Sequence, residues 1–204
     1  MSEYKDIGER FGLTRGTANH QLTVKREDGL YRHLRFENPG HGSFGAFELI
    51  TWPYNLVAKT GWTFHFDIDA TEDIFEVFRR TAFPGEINPS YWQEKVRAGR
   101  DEIEGYDPDV FERTVKDHVV QAIRGGQAPR GLGRAVTREI FEWGDIVHEV
   151  GARAELGSFT YDGWTFGDTW EWNFSAYTPG FLHTCCAIRH GIDLYDAARE
   201  RVAA

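Results

Sequence analysis

Cysteine is scarce in this chain of 204 residues: there are two, adjacent at Cys185 and Cys186 in a stretch with helical spacing. Neighbouring side chains on a helix diverge by about 100°, so the pair is poorly placed for a structural disulfide, and a reducing compartment is the simpler reading. Neither cysteine belongs to a paired zinc-knuckle spacing. Long apolar runs are also missing. Nothing approaches the roughly 18 to 20 consecutive apolar residues of a membrane-spanning helix, and the polar opening Met1 to Arg10 lacks the apolar core of a signal peptide. The expectation is a cytoplasmic protein with no membrane partner. Cations are in deficit, with 23 Lys and Arg against 32 Asp and Glu, a formal charge of -9 and a pI near 5.4. That balance argues against broad, nonspecific nucleic-acid binding, though not against a local basic pocket.

Several catalytic signatures are absent too. Asn38-Pro39-Gly40-His41-Gly42 reads as a loop whose glycines serve the turn; it lacks the run ending in Gly-Lys-Ser/Thr that cradles phosphates. His183 and His190 fall seven residues apart in the last helical stretch and do not form the His-Glu-X-X-His pattern. His183 and Cys186 lie within one helical turn, but a nucleophilic cysteine also needs an exposed thiolate and an oxyanion site. A buried sulfur is the more economical reading. No internal repeat is visible.

Aromatic residues are plentiful, with seven Trp, eight Tyr and fifteen Phe, enough to fill a sheet-helix interface, to form a recognition surface, or both. The chain is organised around Gly42 to Arg80. Phe47, Leu49, Phe64 and Phe66 recur at the period of two that a half-buried strand requires. After Asp69 the period changes. Ile74, Phe75, Val77 and Phe78 fit one side of a short helix with Thr71 at its entrance. Upstream, Asn19 to Glu27 and Leu30 to Glu37 flank Asp28-Gly29 as a β-hairpin, with Tyr31, His33 and Arg35 on one face and Arg32, Leu34 and Phe36 on the other.

Downstream, Pro89 opens a helix predicted to run to about Gly99. Asp107-Pro108 caps another through Arg124, with Phe111, Val115 and Val119 on its buried stripe. Gly125 to Gly131 is the clearest flexible interruption. Helical spacing resumes from Leu132 to Val150, short strands are expected at Phe159 to Trp164 and Trp170 to Phe174, and a final helix starts near Pro179. The fold class is α+β: one domain over residues 1–204, with an antiparallel sheet of about five to seven strands packed with about four to five helices.

His65, Asp67 and Asp69 are the most chemically suggestive local group. On a persistent strand they share a face, and imidazole with carboxylates suits a divalent metal or a positioned water. Same-face neighbours sit about 7 Å apart along a strand, so one ion needs a bend to reach all three. Surface charge or capping is the competing account. No cofactor is favoured, and a divalent metal at His65 and Asp67 is the alternative. His20, His33 and His41 approach this group only if the register allows. Trp170 and Trp172 share a strand face with Glu171 opposite; with Tyr91 and Trp92 they are candidates for partner contact, set against plain core packing.

The stretch Gly42 to Arg80, together with Asn88-Pro89-Ser90-Tyr91-Trp92 and Trp170-Glu171-Trp172-Asn173, resembles a group of small uncharacterised proteins encoded by bacteriophages and prophages of diverse bacteria. The likeness covers most of the chain. In that group Phe47-Glu48-Leu49-Ile50-Thr51-Trp52-Pro53 precedes the strand and helix holding Ile74-Phe75, and the Trp-Glu-Trp region precedes the terminal helix. It assigns no catalytic residue, and His65 and Asp67 depart from the group's more usual uncharged pattern. The resemblance implies a phage-type accessory protein in the host cytoplasm, binding a host or phage protein in counter-defence or regulation, with homo-oligomerisation open. The alternatives are a metal-assisted small-molecule or nucleotide hydrolase and a structural phage component.

Overall fold

The computed structural model describes residues 19–40, 43, 45–80 and 87–203. The readings for the first eighteen residues, for His41 and Gly42, and for Phe83-Pro84-Gly85 lie outside the described residues. The fold is α+β. Composition alone suggests one domain, whereas the contacts divide the chain into two compact units, residues 1–103 with 177–204, and residues 104–176.

The first unit is built on a six-stranded antiparallel sheet in the order β1 (Gln21–Asp28), β2 (Tyr31–Glu37), β3 (Phe47–Trp52), β4 (Asn55–Lys59), β5 (Thr63–Asp67) and β6 (Val96–Ala98). Each strand pairs with the next in sequence, the arrangement that short connections permit. Asp28 is opposite Tyr31, so the first hairpin turns on Gly29-Leu30. Gly29 takes φ 59°, which matches the turn to the right-handed twist of the strands.

Alternation on β2 is as the sequence indicates, with Arg32, Leu34 and Phe36 buried. Cross-strand neighbours Leu34, Leu49, Ala58 and Phe64 continue that buried row. Against it pack α1 (Phe75–Arg79), α2 (Pro89–Gln93) and the long α6 (Pro179–Ala203). A Cβ on Gly191 would stand 2.9 Å from Leu49 and 3.0 Å from Phe47, so glycine lets α6 press directly on the sheet.

Two local expectations are corrected. Asp73, not Thr71, accepts the Phe75 amide at the start of α1, because its carboxylate is already held there by Arg32. The helix opened by Pro89 closes at Gln93, and Val96–Ala98 becomes the edge strand on β5.

The second unit has its own core. Asp107 accepts from the amides of Asp109 and Val110 and caps α3 (Pro108–Arg124), whose Phe111, Val115 and Val119 are buried with Leu132, Ile140, Leu156 and Phe174. Gly125 to Gly131 falls inside this unit, between α3 and α4 (Leu132–Val136). The helical stretch expected to reach Val150 does not run through. A π-helix follows over Thr137–Glu142, the chain breaks at Trp143, and α5 spans Glu149–Ser158. A Cβ on Gly144 would meet the Ile140 carbonyl at 2.5 Å, which explains the glycine at the break. The strands β7 (Glu104–Tyr106) and β8 (Ser175–Tyr177) pair. The strand expected over Trp170 to Phe174 is instead a 3-10 turn at Thr169–Glu171, entered through Asp168 at φ 51°. Phe159 to Trp164 contributes a single bridge between Tyr161 and Trp164.

Buried histidines make stability depend on pH. His20 is buried between Phe47 and His190, with ring centroids at 5.6 Å and 5.5 Å, and neither of its nitrogens has a hydrogen-bond partner among the described residues. Burial lowers its pKa, and likewise that of His183. The unfolded chain therefore takes up protons that the native state refuses. Stability is expected to be full above pH about 6.5 and to fall as the pH drops through about 6 toward the lowered native values. Urea midpoints at pH 7.5 and 5.5 measure this, and His20→Phe should shrink the difference. An unchanged or larger difference in that variant would refute the assignment to His20.

Candidate anion-binding groove

The residues singled out from sequence do not converge on one place. His65 and Asp67 do share a face of β5, but His65 Nε2 is 2.7 Å from Asn55 Oδ1 and its ring stacks on Trp52, while Asp67 accepts from Arg97 Nε at 3.3 Å. Among the described residues no group of three or more His, Cys, Asp or Glu side chains is arranged to hold a metal ion. Cys185 is buried with its pKa pushed well up, and burial pushes that of Cys186 up to about 12, so neither supplies a thiolate near neutral pH.

The aromatic candidates separate by burial. Trp92 is 1% exposed and meets Phe78 edge-on at 4.8 Å. It is a core wedge in the first unit, out of reach of a partner. Tyr91 keeps solvent access under the Lys95 ammonium, 4.7 Å from its ring. Trp170 is 74% exposed and Glu171 is exposed beside it. Trp172 is turned inward, stacked on His118 at 3.8 Å and set edge-on to Phe166 and Phe174. Because the segment is a 3-10 turn, Trp170 and Trp172 do not share a strand face.

A concave arrangement among the described residues involves residues outside that set. A groove of about 670 Å³ in the second unit is lined by Arg130, Arg134 and Arg138 with Thr137, Glu142 and Tyr161. Its position follows from the backbone. Gly131 at φ 93° turns the loop into α4, and the Tyr161 hydroxyl donates to the Arg130 carbonyl at 3.2 Å, fixing the loop from the opposite wall. Arg134 stands on α4 and Arg138 on the π-helix, a rare backbone form that concentrates at functional sites. Arg138 pairs with Glu139 at 2.6 Å and lies 5.3 Å from the centroid of Trp143, which is 72% exposed. Arg130 and Arg134 have no ion pair and no side-chain hydrogen bond among the described residues. Two of three converging guanidiniums are thus available, in a unit that otherwise carries more carboxylates than cations. A guanidinium offers five donors in a fork that matches carboxylate or phosphate oxygens. The sequence signal was the spacing of four from Arg130 to Arg134 to Arg138, but the facing Tyr161 comes from far along the chain.

No known protein family, curated protein or solved structure matches this chain.

Proposed function

We propose that this protein acts by binding, and that the groove of Arg130, Arg134 and Arg138 receives an acidic segment of a partner protein, with Trp143 as the apolar anchor beside it. The observation that carries this is the pair of guanidiniums, Arg130 and Arg134, without carboxylate partners among the described residues and in one groove with Arg138. Arginine and tryptophan are the side chains most often found to dominate binding energy. A short acidic segment fits better than an extended polyanion, because the carboxylates over the rest of the unit repel a long one. The phage-type accessory role implied by the resemblance is kept within this reading: the partner is a host or phage protein in the bacterial cytoplasm, and counter-defence or regulation is the consequence. The net charge of -9 is compatible with an acidic partner segment because the cations are local to the groove.

A hexaglutamate peptide, titrated calorimetrically at low salt, tests it. Binding should weaken as salt is raised and by about tenfold in Arg134→Glu, as expected for a partly screened charge contact. Binding unaffected by that reversal would overturn the assignment.

A further inference from the structure

The second unit contains another cavity, of about 300 Å³, bounded by His118, Gln121, Gln127, Trp164, Phe166 and Trp172. We propose that it binds a nucleobase, as the free base or a nucleoside. Its size is at the lower end for small-molecule sites, which selects one compact ring system. The aromatic lining residues brace one another and pack on Phe159 and Phe174. Trp164 and Phe166 meet edge-on at 4.8 Å and both pack on Phe159, while Trp172 is braced by Phe166 and Phe174 and stacked on the His118 ring at an interplanar angle of 12°. Rigid aromatic walls bind planar rings with little ordering to be done.

The polar part of the lining decides the ligand's charge and edge. Among the described residues no carboxylate, lysine or arginine lines this cavity, so a neutral ligand is favoured over an ion. Gln121 and Gln127 each present an amide with both donor and acceptor atoms, the complement used to read a base edge in two hydrogen bonds. Gln121 stands on α3 and Gln127 on the loop after it, both exposed, so their amide heads are accessible to a ring that enters the cavity. This site is separate in its lining residues from the arginine groove, and the proposal does not rest on the reading of that groove.

The test is a titration of the full chain with adenosine, guanosine, cytidine and uridine, with ribose and N-acetylglucosamine as controls, reading the indole N–H resonances of Trp164 and Trp172. At least one nucleoside should shift both signals saturably, and neither sugar should. In Gln121→Ala/Gln127→Ala the affinity should fall about tenfold, as expected for losing a bidentate base contact; both substitutions are at exposed positions and leave the aromatic walls in place. No shift with any nucleoside, an equal response to a sugar, or unchanged affinity in the double variant would overturn the proposal.

Discussion

Asp73→Ala is expected to lower the unfolding free energy by about 3 kcal/mol, near the lower end of what breaking a buried ion pair costs. Arg32 lies on the core face of β2 with its side chain 5% exposed, and holds Asp73, itself 21% exposed, through two bonds of 2.8 Å and 2.9 Å. Its guanidinium lies 4.8 Å from the Phe75 ring centroid and 5.4 Å from that of Tyr195. Burial by itself pushes the Asp73 carboxyl up, but the hydrogen bonds and charge of Arg32, with the Phe75 amide, hold it below its ordinary value. Removing the carboxylate strands a buried cation whose Nε already has no partner among the described residues. Arg79, 3.9 Å from Asp73, donates two hydrogen bonds to Asp196 and stays satisfied. The loss therefore falls on Arg32. Arg32→Met in the Asp73→Ala background should recover much of it, since the methionine fills the space between the two rings without a charge. Urea denaturation of the two single variants and the double measures the coupling. Additive losses would contradict the account.

Trp92→Ala should be as damaging, at about 3–5 kcal/mol for emptying a fully buried aromatic site, because the indole is 1% exposed and packs on Phe78. Trp170→Ala, at a residue 74% exposed, should change stability by no more than about 0.5 kcal/mol. Thermal unfolding of the two variants distinguishes a wedge from a surface ring. Similar melting temperatures for the two would contradict the packing described.

The contrast between those tryptophans marks how far sequence carries. The β2 alternation was legible because one face is buried and period two leaves no choice. The Asp107-Pro108 start of α3 was legible because cap and first-turn chemistry are local. Trp92 was ambiguous because an amphipathic turn does not say whether its large face meets a sheet or solvent. At Trp170 the alternating pattern misled: Asp168 enters the left-handed region, and a 3-10 turn replaces the strand. His65 and Asp67 were placed on one face correctly, but their cross-strand neighbours Asn55 and Arg97 depend on register, which spacing does not give. The arginine groove was hidden by averaging. Its three cations vanish into a net charge of -9, and Tyr161, which closes the far wall, is brought in by tertiary folding alone.

Under the proposed function, an acidic segment binds the second unit at Arg130, Arg134 and Arg138 beside Trp143. Mapping backbone and indole amide resonances while hexaglutamate is titrated tests it most directly. Saturable shifts are expected on residues 130–143 and Tyr161, including the Trp143 indole, with Tyr91 and Trp170 unmoved. Shifts centred on Tyr91 or Trp170, or none above those of an uncharged peptide, would contradict it.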